Sequence, residues 1–301
     1  MLTIGALMLM VADRPAAATA VAAATPSTAS LAQQVCPVQS IGFAPPLGEP
    51  LLLTRQIERA LASGTFTQTI TYRLNFERAA RGYRMRWQQI DQDASGPAEL
   101  LRLLSLQDDG AQGETLDFAL DASGALLGVT EAPDAAQRLA NAITRLRSDR
   151  AMSDRPQRER AMIGQMLDRM AALQPAERAD MHLAKAARLL VLAGQECTGG
   201  MMTGSDGTGY AVGEAGGGVV RLFADSRQQR PDGSALMLEV AIAVSTRTGL
   251  IESHDRHTTS QIGTVSRTSR ERLELLAEQA GTNEAGMPPI RDGSGDGESK
   301  R

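Results

Sequence analysis

Between Ala235 and Leu276 the chain alternates in a way that leaves little choice of local structure. Leu236, Leu238, Val240, Ile242 and Val244 fall on one side of a period-two pattern, with Met237, Glu239, Ala241, Ala243 and Ser245 on the other. That is the pattern of a strand with one buried face. Thr246 to Leu250 makes a turn around Gly249. Ile251 to Ser260 and Thr264 to Leu275 then stay rich in β-branched Ile, Thr and Val, with Gly263 marking the reversal between them. The expectation is a three-stranded antiparallel meander.

The chain before residue 131 repeats the alternation. The body is expected to begin near Pro50 with a strand over Leu51 to Leu61. Gly64 opens a clearer one, in which Phe66, Ile70, Tyr72, Leu74 and Phe76 share a face interrupted only by Gln68, while Thr67, Thr69, Thr71, Arg73 and Asn75 share the other. Gly82 reverses it into Tyr83, Met85 and Trp87, which alternate with Arg84, Arg86 and Gln88, so Phe66 to Gln88 reads as a long hairpin. After the turn at Ser95-Gly96-Pro97 come a short apolar segment, Leu100 to Leu106, a strand carrying Leu116, Phe118 and Leu120, and its partner over Leu126 to Thr130.

In the middle of the chain the period lengthens. Ala132, Ala136, Leu139, Ile143 and Leu146 recur every three or four residues, as do Met162, Ile163, Met166, Leu167, Met170 and Leu173, and then Ala179, Leu183, Ala186, Leu190 and Val191. These are three amphipathic helices, with Pro156 and Pro175 suited to helix starts and Gly194 to a C-terminal cap. A Gly-rich loop past Cys197 then leads to short strands over Tyr210 to Val212 and Val219 to Ala224.

Strands, helices and strands again give an α+β order. It predicts one domain over 50–280: a curved antiparallel sheet in two β halves, 50–130 and 208–276, covered by a helical insert over 131–194. This pattern resembles the half-barrel, or clam, architecture of the periplasmic lipoprotein-carrier proteins. The residues that carry the resemblance are the hairpin Phe66 to Gln88, the phrase Leu116-Asp117-Phe118-Ala119-Leu120-Asp121-Ala122-Ser123-Gly124, and the closing strands within Ser245 to Thr268. It resembles equally other secreted bacterial proteins built from the same strand phrases. What the resemblance implies is the fold, since no motif specific to a function accompanies it.

The termini bear on location. Leu2 to Ala12 is an apolar run of signal-peptide length, too short to span a bilayer, and Ala18-Thr19-Ala20 offers a small-x-small cleavage site, although no Lys or Arg precedes the run. Residues 1–20 are therefore expected to direct export, which places the protein in the periplasm or outside the cell. Residues 21–49, mostly Ala, Thr, Ser, Gln and Pro, are expected to be a disordered linker, and 281–301 a disordered tail. The two cysteines, Cys36 and Cys197, stand 161 positions apart without CxxC spacing or a histidine cluster. In an exported protein they are expected to form a disulfide tying the linker to the body, and they make no metal site.

Composition excludes several functions. A net charge of −4 provides no basic field for a nucleic acid, and aromatic residues at 3% provide no stacking platform for bases or sugars. The histidines are His182, His254 and His257; the last two, three apart on a strand, point to opposite faces and are expected to be surface residues. The cluster Gly204, Gly207, Gly209 and Gly216 to Gly218 lacks the GK[ST] ending of a phosphate loop, and no G-x-S-x-G is present. From Arg267 to Glu274 carboxylates interleave with arginines as on a solvated strand edge. No cofactor is implied.

Binding is the function class that survives. Met152, Met162, Met166, Met170 and Met181 place soft side chains on the helical insert. Filling the core is their ordinary role, and lining a pocket is the alternative. If the strand face of Ile70, Tyr72, Leu74, Phe76, Met85 and Trp87 curves against Met162, Met166 and Met170 with space between, the site takes a lipid or another apolar molecule. The reading is an exported, non-catalytic envelope protein that holds an apolar ligand or protein segment. An enzyme of another type and a structural or interaction protein are the alternatives; titratable groups with shifted pKa converging in a cleft would favour the enzyme.

Overall fold

The computed structural model describes residues 36–61, 64–98, 101, 115–154, 156–229, 233–263 and 265–278, without the side chains of 151, 152, 159, 162 and 262. The expected export signal, the linker up to residue 35, most of the segment Leu100 to Leu106 and the expected tail lie outside the described residues.

The two β halves form one antiparallel sheet of twelve strands, curved and unclosed. The first half supplies β1 (Leu51–Leu61), β2 (Gly64–Ala79), β3 (Gly82–Ser95), β4 (Thr115–Leu120) and β5 (Leu126–Glu131). The second supplies β6 (Cys197–Thr198), β7 (Met201–Thr203), β8 (Gly209–Gly216), β9 (Val219–Gln229), β10 (Ala235–Ser245), β11 (Ile251–Ile262) and β12 (Val265–Ala277). Within each half every strand pairs with its neighbour in sequence, which keeps loop closure inexpensive. One long-range ladder, β1 on β12 from Leu51↔Ala277 to Arg59↔Ser269, joins the halves.

Period-two alternation sets the two faces. Leu51, Leu53 and Ile57 of β1 lie beside Tyr72, Leu74 and Phe76 of β2, Met85 and Trp87 of β3, and Leu116, Phe118 and Leu120 of β4, all buried. Across β12 the same face continues through Leu273, Ile242 and Val244 of β10, and Val220 and Leu222 of β9. Ladder irregularities curve the sheet: on β3 Ile90 is an extra residue between the partners of Thr71 and Tyr72, and it points outward.

The helices are α1 (Ala135–Ser148), α2 (Gln157–Ala171) and α3 (Pro175–Ala187). Of these helices it is α3, with the turns after it, that covers the core face, through Ala186, Leu189, Leu190, Val191 and Leu192. The first turn of α3 is held by Glu177, whose carboxylate accepts from the Gln174 backbone N–H at 2.9 Å.

The expected linker ends sooner than residue 49. From Cys36 the chain is a strap built into the body: Ile41 is fully buried and Phe43 stacks edge-on against Tyr83 at 5.2 Å. Its backbone pairs with the end of the covering segment, Ile41 N–H donating to Gln195 at 2.9 Å and Gly194 N–H to Ile41 at 2.8 Å. Val38, Ile41 and Phe43, thinly spread among small residues, supply the apolar contacts that average composition concealed, while Leu47 is exposed. Disulfide Cys36–Cys197 pins the strap to β6, and the expected Gly-rich loop there is in part the short hairpin β6–β7.

The strap fixes one turn in the sheet. Gly249 has φ +74°, and a Cβ there would lie 2.1 Å from the Gly42 carbonyl oxygen. Gly249→Ala is expected to destabilise the protein by at least about 1–2 kcal/mol from the left-handed backbone alone, with the clash added. A urea midpoint equal to that of the unsubstituted protein would contradict this contact.

Candidate functional site

The strand residues expected to line a ligand do share one wall: Ile70, Tyr72, Leu74, Phe76, Met85 and Trp87 belong to the main core. Of the helical residues expected opposite them, Met166 and Met170 do not reach it. Met166 and Met170 pack with Leu139, Ile143, Leu146, Ile163 and Leu167 in a separate cluster, and the side chain of Met162 lies outside the described ones. The reason is that α1 and α2 satisfy each other's apolar stripes. The helix that meets the sheet is α3, which brings Leu183 and Ala186 to the core and a lysine to its rim.

Where α3 runs out onto the sheet the contacts become polar. Lys185 Nζ stands 4.2 Å from the Tyr72 ring centroid and 5.5 Å from that of Trp87, the two rings meeting edge-on at 5.2 Å. Arg188 Nη1 donates to both oxygens of Glu271, at 2.7 and 2.6 Å, and Arg55 Nε donates to Glu271 Oε1 at 2.6 Å. Glu271 is 8% exposed. Burial alone would raise its carboxyl; Arg55 and Arg188 outweigh burial and hold it at about 2. Helix, first strand and last strand are thus clamped on one carboxylate.

His254, on the strand beside it, is 6% exposed, and burial pushes its imidazole down to about 4, so it is neutral at pH 7. Its Nδ1 and the indole Nε1 of Trp87 make no hydrogen bond among the described residues. The space left at this seam, walled by Leu53, Tyr72, Trp87, Leu189 and Leu273, is about 10 Å³, room for about one water molecule. A carboxylate bonded on both oxygens at a seam this narrow acts as a clamp. A second ion cluster holds α3 to the edge strand β5, where Glu131 accepts from Arg178 at 3.0 Å and lies 3.1 Å from His182 Nε2.

Two expectations change here. His254 faces the core, opposite Ile242, instead of solvent, while His257 takes the other face as expected. Glu271 sits in the middle of a central strand, so the interleaved run Arg267 to Glu274 is not a sheet edge. The signal for Glu271 was present: it precedes Leu273 and Leu275 at strand spacing and so shares their face. The arginines that meet it come from 83 and 216 positions away, a pairing no local pattern reveals.

No protein-family model and no curated protein matches the chain. Two solved structures are similar in part. Lipovitellin, in a structure concerned with its lipid–protein interactions, is 10% identical, with a TM-score of 0.35 over 79% of this chain and 25% of its own. DynF, from the dynemicin biosynthesis pathway of Micromonospora chersina, is 10% identical, with a TM-score of 0.18 over 80% of this chain and 92% of its own. The chain spans a quarter of the lipovitellin chain, and at these TM-scores neither likeness carries an argument about ligand or activity. Among the described residues no group of acidic, histidine or cysteine side chains has the arrangement of a metal site, and no helix is long and apolar enough to cross a membrane.

Proposed function

We propose that this is an exported protein of the cell envelope that works by binding, and that the core face of its sheet receives an apolar ligand, an acyl chain or an apolar protein segment, when α3 lifts away. The observation that carries this reading is the construction of the cover. An unclosed sheet presents an apolar face from β4 to β9, and what lies over it is a helix end and an extended strap, packed through Leu189 to Leu192, Ile41 and Phe43 and fastened by one ion clamp and one disulfide. The Arg55–Glu271–Arg188 clamp is the point at which α3 releases from the sheet, while the disulfide keeps the strap tied to β6 as the helix moves.

Two further features support it. A disulfide persists in oxidising compartments, in keeping with an export signal over residues 1–20. Two buried groups with displaced pKa, Glu271 and His254, lie at a closed seam and not in an open cleft, which favours binding over catalysis. With the seam at about 10 Å³ the ligand displaces the cover, and each CH₂ laid on the exposed face contributes roughly 0.8 kcal/mol toward that opening.

Titration with a fluorescent fatty acid is expected to saturate, and unlabelled fatty acid to displace the probe. Fluorescence that rises linearly to the probe's solubility limit, with no displacement, would contradict the reading.

A further inference from the structure

On the outer face, away from the core, five neighbouring strands enclose a hollow of about 650 Å³. The register lays one row of side chains straight across it. Glu58 of β1 faces Arg270 of β12, Arg270 faces His257 of β11, His257 faces Glu239 of β10, and Glu239 faces Asp225 of β9. In the next row Asp255 faces Ala241, and Ala241 faces Phe223.

The charges of this row do not cancel. Arg270 is bonded to Asp255, its Nε donating at 2.8 Å, and Arg272 Nε stands 3.6 Å from the same carboxylate. Glu239 has His257 Nδ1 at 3.5 Å, Glu58 acts on Arg270 opposite it through charge, and Asp225 forms no hydrogen bond or ion pair among the described residues. Glu239 and Asp225 are like charges directly opposite each other on adjacent strands, an arrangement that weakens a sheet. Beside them Phe223 is 49% exposed. Its ring leans on Gly213, where a Cβ would lie 2.8 Å from Phe223 Cε2, and Ala241 opposite is too small to cover it.

We propose that this hollow is the docking site for an extended basic segment of a partner protein, with a lysine or arginine cation seated between Glu239 and Asp225 and against the Phe223 ring. A cation relieves the repulsion that the free sheet carries, and an aromatic face attracts it further. An acyl chain gains nothing on a charged floor, and an anion is repelled. The row from Glu58 to Asp225 crosses four strand spacings, about 19 Å, which an extended segment of about six residues spans. The site stands on the opposite face from the ligand wall and does not depend on what that wall binds.

The test uses the full chain and a labelled ten-residue peptide of alternating lysine and serine, followed by fluorescence anisotropy at low and moderate salt. Saturable binding that weakens with salt is expected. The double substitution Asp225→Asn with Glu239→Gln weakens it about tenfold while the melting temperature stays level or rises. Phe223→Ala weakens binding without changing net charge. The proposal is overturned if the peptide shows no saturable binding at low salt, if the double variant binds as well as the parent, or if Phe223→Ala has no effect. In that last case spermine would compete as well as the unlabelled peptide, and the hollow would be only a diffuse acidic surface. A fall in the melting temperature of the double variant would show that these carboxylates stabilise the sheet and would count against docking.

Discussion

Replacing Cys36 and Cys197 with serine is expected to lower stability by about 2–4 kcal/mol. The bridge closes a loop of 161 positions, for which chain-entropy arithmetic gives roughly 5 kcal/mol, an upper figure because real bridges deliver less. Its position adds a local effect. The strap it holds carries fully buried Ile41 and nearly buried Phe43, so its release opens core and removes the pairing with Gly194 and Gln195. Urea unfolding of the serine variant should show a midpoint well below that of the oxidised protein, and adding reductant to the oxidised protein should reproduce the drop. Coincident curves would mean that the strap is held by packing alone.

Glu271→Ala is the second substitution with a large expected effect, about 3–5 kcal/mol, because it removes from the interior the carboxylate to which both Arg55 and Arg188 donate. The half-exposed pair Arg270–Asp255 provides the contrast: Asp255→Asn should cost less than about 1 kcal/mol. Acid sensitivity follows with a definite sign. The folded Glu271 carboxyl is depressed from 4.5 to about 2, so its contribution is complete above the unfolded value and is lost as pH falls through 4.5 toward 2. His254 acts earlier: its imidazole, depressed from 6.5 to about 4, makes the unfolded chain the better proton acceptor between those values, and stability declines as pH drops through them. Arg188, Arg256, Asp255 and Glu271 are the charges that act on this histidine. Melting temperatures from pH 8 to pH 3 should fall in these two stages. Glu271→Ala removes the lower stage and His254→Phe the upper, and a flat profile in the parent protein would contradict the clamp.

Most of the architecture could be read from residue patterns. Period-two runs such as Phe66 to Phe76 and Leu236 to Val244 place the strands, and the lengthened period places the helices, although the third ends at Ala187, so that Leu190, Val191 and the expected cap Gly194 lie in the turns beyond it. What the patterns did not contain is the identity of each element's partner. The methionines of α2 have the spacing of a buried face, but that face meets α1, and sequence spacing carries no information about which neighbour a stripe will find. The strap was hidden for a compositional reason: a few apolar residues among prolines, glycines and alanines look like linker until a disulfide and the buried side chains of Ile41 and Phe43 hold them. Glu271 and His254 were hidden by the opposite effect. His254 is polar in a run of polar residues, and although the spacing of Glu271 to Leu273 and Leu275 marks its face, only long-range pairing shows that both strands are central. The outer hollow was invisible as well, since the row from Glu58 to Asp225 draws on five strands and exists only once their registers are set.

The central claim, an exported protein that carries an apolar ligand on the core face of an unclosed sheet, is tested most directly by native mass spectrometry. The protein is to be purified without detergent from a secreting bacterial host, and any adduct identified by solvent extraction and lipid analysis. The account predicts a chain that starts after Ala20 or a few residues later, lacks free thiols, and carries an acyl-bearing adduct that solvent removes. A full-length amino terminus with two free thiols and no adduct would contradict it.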